Sequence, residues 1–465
     1  MKTFYSKAIN VAAIALVTFL VASCGDFKKT NVVTPPSNGT LNFTTFVSLG
    51  NSLTAGYQSG ALLESAQVWS YPADIAKQAG AANFVQPLMP YPGTGALMSI
   101  TSLAGPSVQT GSTTIIPPTN ASSYLQPYNN LGIPGAVLFD LTDTTDFVTK
   151  SVARNNPFFS LVLRNKAFGA SPVAQALALK PTFMTVWIGA NDVLGYATSG
   201  GTVGTGGPGT GPTDVNIFNQ LYDGTMGALL AGDSTAKFAV ANIPDVTGIP
   251  FFTTILPFVY GPNGEPLITS NGSHIPMIVQ RHDANGNLYS GPADTLHDLI
   301  LLTAIDPLHA EAGTSISNPM PDEYVLDSSE VAAVEVAINA YNSTIETFAN
   351  LNSTRVVMVD AHAAFDNFAK YGYVAQGVVL TNSYISGGFF GLDGVHPTSQ
   401  GYAYVANIFI QAINSHFGSN IPIVSISSAP GSIVLSKSSM SKAGLPNIHY
   451  SDLKPMLQLI QRRDF

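Results

Sequence analysis

A chain of 465 residues has room for one large domain or for two or three smaller ones. Its apolar fraction of 45% supplies a large core, while charged residues make up only 10%, so the surface leans on Ser, Thr, Asn, Gly and Pro, as suits an exported protein. A formal charge of −9 argues against nucleic acid as a partner, and a single cysteine near the N-terminus excludes disulfides within the chain, Cys-based metal centres and a thiol nucleophile inside the fold.

Lys2 and Lys7 precede an apolar run from Val11 to Ala22, and Val21-Ala22-Ser23-Cys24 closes it. The run is short for a membrane span and has signal-peptide flanks. The small residues ahead of Cys24 resemble the lipobox of bacterial lipoproteins. That resemblance implies a signal peptide over 1–23, lipidation of Cys24 and a membrane anchor through it. A plain signal peptide with an incidental cysteine is the alternative. Gly25 carries no acidic retention signal, so the outer membrane is the expected location, on its periplasmic or surface face. Residues 24–40 are polar, with Pro35 and Pro36, and read as a tether.

The folded part is expected to begin near Leu41. Thr45 to Leu49 reads as a buried strand that ends in Gly50-Asn51-Ser52, which presents Ser52 at the strand's carboxyl end. Trp69 to Ala79 has an amphipathic helical pattern. Residues 91–128, rich in Gly, Pro, Ser and Thr, read as a long irregular insertion. In Asn130-Leu131-Gly132-Ile133-Pro134-Gly135-Ala136, Gly135 frees a backbone N–H for close approach by a substrate oxygen, or is a simple turn glycine. Pro181 to Ile188 is a second buried strand and ends in Gly189-Ala190-Asn191-Asp192, which places Asn191 at the same sheet edge as Ser52. A Gly-rich flexible loop over 195–211, a helix over Ile217–Leu230 and a strand over Lys237–Asn242 follow.

Residues 250–310 form another insertion. Asn263-Gly264 and Asn285-Gly286 are turn signals within it, and Asp283 to Asn287 reads as a hairpin turn, since its glycine is misplaced for a calcium loop. His274, His282, His297 and His309 match no zinc spacing, and no metal is expected. Asp327 to Leu351 is the clearest helix, with Asp327 and Glu330 spaced as a capping box. Arg355 to Val359 is a further strand. Asp393-Gly394-Val395-His396-Pro397-Thr398 precedes a helix from Ser399. Asp393 and His396, three apart, suit a carboxylate that orients an imidazole; a capping Asp beside an exposed His is the bland alternative. Residues 419–465 read as a C-terminal extension, with a short strand over Ile421–Ile426 and loose packing from Met440 onward.

Gly-Asn-Ser after the first strand, Gly135, Gly-x-Asn-Asp after a middle strand and Asp-x-x-His before the last helix stand together in an order that resembles the SGNH hydrolases, or GDSL esterase/lipase family. The resemblance implies an α/β fold: a flavodoxin-like three-layer α/β/α sandwich with a central parallel sheet of about five strands. It extends over 41–418, with the insertions at 91–128, 195–211 and 250–310. It further implies Ser52 as nucleophile, His396 as general base and Asp393 as its orienting acid. The oxyanion hole would comprise the backbone N–H groups of Ser52 and Gly135 and the side-chain amide of Asn191. No cofactor is implied. Ala241-Asn242-Ile243-Pro244-Asp245 also looks like a segment of that family. The family's first block usually has Asp where Asn51 stands here. Asp192 reads as a structural hydrogen-bonding partner.

The expected function is a lipid-anchored serine hydrolase of acyl esters that works through an acyl-enzyme. A carbohydrate O-deacetylase or acyltransferase using the same residues, and a non-catalytic envelope-binding lipoprotein, are the alternatives. The apolar run Ile249 to Tyr260 suggests a lid or acyl groove, unless Phe251, Phe252 and Phe258 pack away from Ser52.

Overall fold

In the computed structural model, residues 36–102, 107–202, 212–262, 264–431 and 445–461 are described. The expected signal peptide, Cys24, most of the expected tether, Asn263, the greater part of the Gly-rich stretch and Met440 lie outside them. All elements below belong to the unit Asn38–Phe465.

Five short runs make the central sheet, four of them carrying β-branched or aromatic residues: β1 (Phe46–Gly50), β2 (Asn130–Gly132), β3 (Phe183–Trp187), β4 (Lys237–Ala241) and β5 (Val356–Val359). Their order is β5-β4-β3-β1-β2 and every pairing is parallel. This is the doubly wound, flavodoxin-like order, whose switch point lies between β1 and β3. Gly50 sits opposite both Gly132 and Trp187, so β1, β2 and β3 end level with one another. Every residue of β1 and β3 is buried, as expected for a parallel sheet covered on both faces.

Nine helices matter for the argument: α1 (Ser52–Ala55), α2 (Tyr71–Ala79), α3 (Pro172–Ala178), α4 (Asn191–Ala197), α5 (Val215–Gly232), α6 (Ser328–Leu351), α7 (Ala361–Tyr371), α8 (Ser399–Phe417) and α9 (Tyr450–Ile460). On one face α2 and α8 pack together, and Tyr71 and Phe409 stack beside Trp187 of β3. The other layer holds α5 and α6, joined by Phe218 stacked on Tyr341. The α6 capping box forms: Asp327 accepts from the Ser329 and Glu330 amides, and the Glu330 carboxylate accepts from Asp327 N. Thr398 caps α8, and Gly418 ends it in the left-handed region.

Three sequence expectations change. Phe251 and Phe252 are core residues packed edge to face, and Phe258 stacks on His274, so this run forms no lid. The tail expected to be loose from Met440 onward is packed over 445–461, and the described stretch before it is tied down as well. Asn407 and Asn414 of α8 bind the backbone at Val424 and Ile421, and α9 buries Leu453, Met456, Leu457 and Ile460. Residues 421–426, read as a short strand, form none. The insertion at 250–310 does contain a hairpin, Ile278–His282 with Leu288–Pro292, and the Asp283 carboxylate accepts from the Asn285 and Asn287 amides inside its turn.

Candidate active site

Gly50 closes β1 where a Cβ would run into Thr54 and the Trp187 carbonyl, so only glycine lets the chain turn this tightly. Asn51 follows as the N-cap of α1, its side-chain oxygen accepting from Leu53 N at 3.0 Å. This cap holds Ser52 at the carboxyl edge of the sheet. An Asp would cap equally well, which explains how Asn serves at this position.

His396 reaches Ser52 from the loop ahead of α8. Its Nε2 lies 2.9 Å from Ser52 Oγ, and its Nδ1 lies 3.0 Å from Asp393 Oδ2. The carboxylate can only accept, so Nδ1 carries the hydrogen and Nε2 presents its lone pair to the serine hydroxyl. Asp393 is fully buried and its oxygens also accept from the amides of Gly60, Val395 and His396. Burial alone raises the Asp393 carboxyl, but the neighbouring His396 and these hydrogen bonds outweigh it and hold it below its ordinary value. Tyr57 lies against the imidazole at 4.7 Å between ring centroids, and its hydroxyl donates to Gly60 O. The Gly60 amide that reaches Asp393 is thereby fixed from the Ser52 side. Tyr57 and Gly60 escaped notice in the sequence, although they lie within eight residues of Ser52.

Asn191 opens α4 at the end of β3 and lines the same pocket as Ser52 and His396. Its Nδ2 donates to Ala136 O at 2.9 Å, which leaves its second hydrogen available. Gly135, in the loop beyond β2, has φ of +78°, and its flank is closed by Leu459 O of α9, 2.6 Å from where a Cβ would stand. Asn156 supports the same loop by donating to Pro134 O. Ser52, Asp393, His396 and Asn191 thus come together, while Gly135 is tied to Asn191 through the adjoining Ala136. Asp192 points away from the pocket and accepts from Leu138 N and Thr213 Oγ1.

The pocket beside Ser52 is small, a cavity of about 40 Å³, walled largely by Leu53, Leu194, Val246, Ile249, Phe365 and Phe390. Phe365 belongs to α7, a helix that the sequence reading missed. Asn242, within the 241–245 segment, positions it: its Oδ1 accepts from His362 N and its Nδ2 donates to Asp360, the α7 cap. A separate group, His282, Asp327 and Glu330, brings metal-ligand atoms within 4.8 Å of one another, a grouping invisible in sequence spacing. Asp327 is already committed to capping α6 and to His282, so the group serves the helix start.

A doubly wound sheet with a serine, an imidazole and a carboxylate in hydrogen-bonded series at its switch point defines a hydrolase-like α/β protein. The chain belongs to the GDSL-like Lipase/Acylhydrolase family, which it matches over residues 46–409, and with that family it is an ester hydrolase. Among solved structures, a Clostridium thermocellum family 3 carbohydrate esterase is similar at 12% identity, over 80% of this chain and 96% of that one, with a TM-score of 0.29. No curated protein sequence matches the chain.

Proposed function

We propose that the protein is a serine esterase for short acyl esters, with Ser52 as nucleophile, His396 as base and Asp393 as the acid that orients it. The 2.9 Å contact between His396 Nε2 and Ser52 Oγ carries this reading. Ser52 Oγ attacks the ester carbonyl carbon as its proton passes to His396 Nε2. The developing oxyanion is received by the amides of Ser52 and Gly135 and by Asn191 Nδ2. Collapse breaks the carbon–oxygen bond to the alcohol, which leaves with the proton from His396. Water, deprotonated by the same imidazole, then attacks the acyl-Ser52 carbonyl; the bond between the acyl carbon and Ser52 Oγ breaks, Oγ takes the proton back from His396, and the acid departs. Asp393 stays ionised throughout, favours the Nδ1–H tautomer and supports the transient imidazolium.

The small apolar pocket favours acetyl to butyryl groups over long fatty chains. Hydrogen-bonded geometry across the whole triad weighs against the non-catalytic lipoprotein. The residues before Cys24 support a lipid anchor and an outer-membrane location as part of the same proposal.

The test is hydrolysis of p-nitrophenyl esters from acetyl to palmitoyl. Turnover is expected to peak at short chains and to fall by at least about a thousandfold in Ser52→Ala. An unchanged rate in that variant, or an optimum at palmitoyl, would overturn the reading. Incorporation of labelled palmitate into the full chain but not into Cys24→Ala is the expected result for the anchor; equal labelling of both would refute it.

A further inference from the structure

Behind one wall of the pocket beside Ser52 lies more room. A second space, also of about 40 Å³, stands back to back with it. The two share Asp245, Ile249, Phe365 and Phe390, so these side chains form a partition one residue thick. The second space in turn shares Ala369 and Asn382 with a cleft of about 650 Å³, whose lining is more apolar than polar.

The partition is held in place from several sides. The Phe365 ring packs edge to face on Trp187 of β3 and on Phe389, at 6.2 and 5.7 Å between centroids. Phe390 is buried, and its ring lies 4.8 Å from that of Phe389. The residues flanking Phe390 are bonded into the loop that carries His396: Thr398 N donates to Phe389 O and Gly391 N to His396 O, each at 2.7 Å. Ile249 is buried too. It follows Gly248, whose carbonyl accepts from Asn382 Nδ2, and its own carbonyl accepts from Phe252 N. Asp245 is the one charged member, and its Oδ1 is engaged by Thr247 N and Thr247 Oγ1. Swinging either ring aside would break aromatic contacts and disturb the loop that holds His396.

We infer, resting on the esterase reading above, that Phe390, Phe365 and Ile249 set the upper limit of acyl length. A chain up to butyryl fills the pocket at Ser52, and the further carbons of a longer chain meet the partition. The room such a chain needs exists, but on the far side. Truncating the partition joins the pocket to the second space and through it to the cleft. Burying each added methylene is then worth about fourfold in affinity, so a breach turns a penalty on long chains into a gain.

The experiment measures kcat/KM of the full chain, and of its Phe390→Ala and Ile249→Ala variants, on p-nitrophenyl esters from acetyl to decanoyl. The octanoyl-to-acetyl ratio within each protein does not depend on how much active enzyme a variant yields. It should rise by about tenfold or more over the wild type in both variants. Leu194→Ala enlarges the same pocket on a wall that does not border the second space, and should not reproduce that rise. An unmoved ratio in both partition variants, or an equal rise in Leu194→Ala, would overturn the inference. Ethyl to octyl acetates should keep their wild-type profile in Phe390→Ala; a shift there in place of the acyl series would assign the partition to the alcohol side and refute acyl control. Calorimetry with sodium octanoate separates the partition from the chemistry. Ser52→Ala should show no binding, and Ser52→Ala combined with Phe390→Ala should bind. If the wild type hydrolyses no ester while this contrast holds, the esterase reading falls and the partition stands; if the contrast is absent as well, both fall. Ester turnover with an unmoved length profile removes the partition alone.

Discussion

Each residue that meets Ser52 is fixed by a neighbour that bears no part in the reaction. Asn51 anchors the turn, Gly60 N and Tyr57 fix the acid and the imidazole, and the Ala136 carbonyl aims Asn191. Asn191→Ala is therefore expected to lower kcat on p-nitrophenyl acetate by about a hundredfold or more, with KM little changed, which steady-state kinetics will read. Asn51→Ala removes an N-cap and should cost about 1 kcal/mol in urea denaturation, whereas Asn51→Asp should be close to neutral. Since only neutral imidazole accepts the serine proton, kcat/KM must decline on acidification, and a rate that held flat into acid would exclude His396 as base. The Asp-x-x-His pair and the Gly-Asn-Ser turn were legible in the sequence because their geometry is local: three residues on one turn, or one glycine before one cap. Gly60 and Tyr57 were not, because what brings them to the site is tertiary packing with no periodic trace.

At the scale of elements, four strands and the long helices declared themselves through β-branched runs and apolar periodicity. Strand β2 did not, because three residues are too few to show alternation. Helix α7 was legible in principle, since Phe365, Phe368 and Tyr371 recur at helical spacing behind an Asp360 cap, but the sequence reading passed over it. Helix α9 carries Leu453, Met456, Leu457 and Ile460 at the right spacing, but Pro455 within it breaks the helical pattern. This helix lies beyond the matched span at 46–409 and yet closes the flank of Gly135. Leu457→Ala is expected to destabilise the protein by about 2–5 kcal/mol in urea denaturation, as for a core leucine. Gly135→Ala should cut activity more than stability, because its Cβ would press on Leu459 O beside the proposed oxyanion site.

Across the whole molecule, buried acids set the response to pH. Burial pushes Asp74 up to about 6 and Asp192 up to about 7, and Glu330, buried among Asp327, Asp322 and Asp298, up to about 9. An acid raised in the folded state contributes stability below its unfolded pKa and loses it as pH climbs through the folded value. Tm should therefore fall between pH 5 and pH 9 on account of these groups, roughly the range their raised values span. Asp192→Asn and Glu330→Gln should flatten that decline in a series of thermal melts. Asp393 acts in the opposite sense: held below its ordinary value, it stabilises the fold at neutral pH and loses that contribution only as pH drops through its lowered folded value.

The contact between Ser52 and His396 spans 344 residues of chain. Such a contact closes one of the longest loops the molecule contains, and closures of this length form late in folding. A polypeptide that emerges N-terminus first carries its serine through most of synthesis before the imidazole exists. Serine reactivity is thus a clock for completion. In refolding, labelling of Ser52 by a fluorophosphonate should lag behind the fluorescence change of Trp187, whose strand pairs directly with β1.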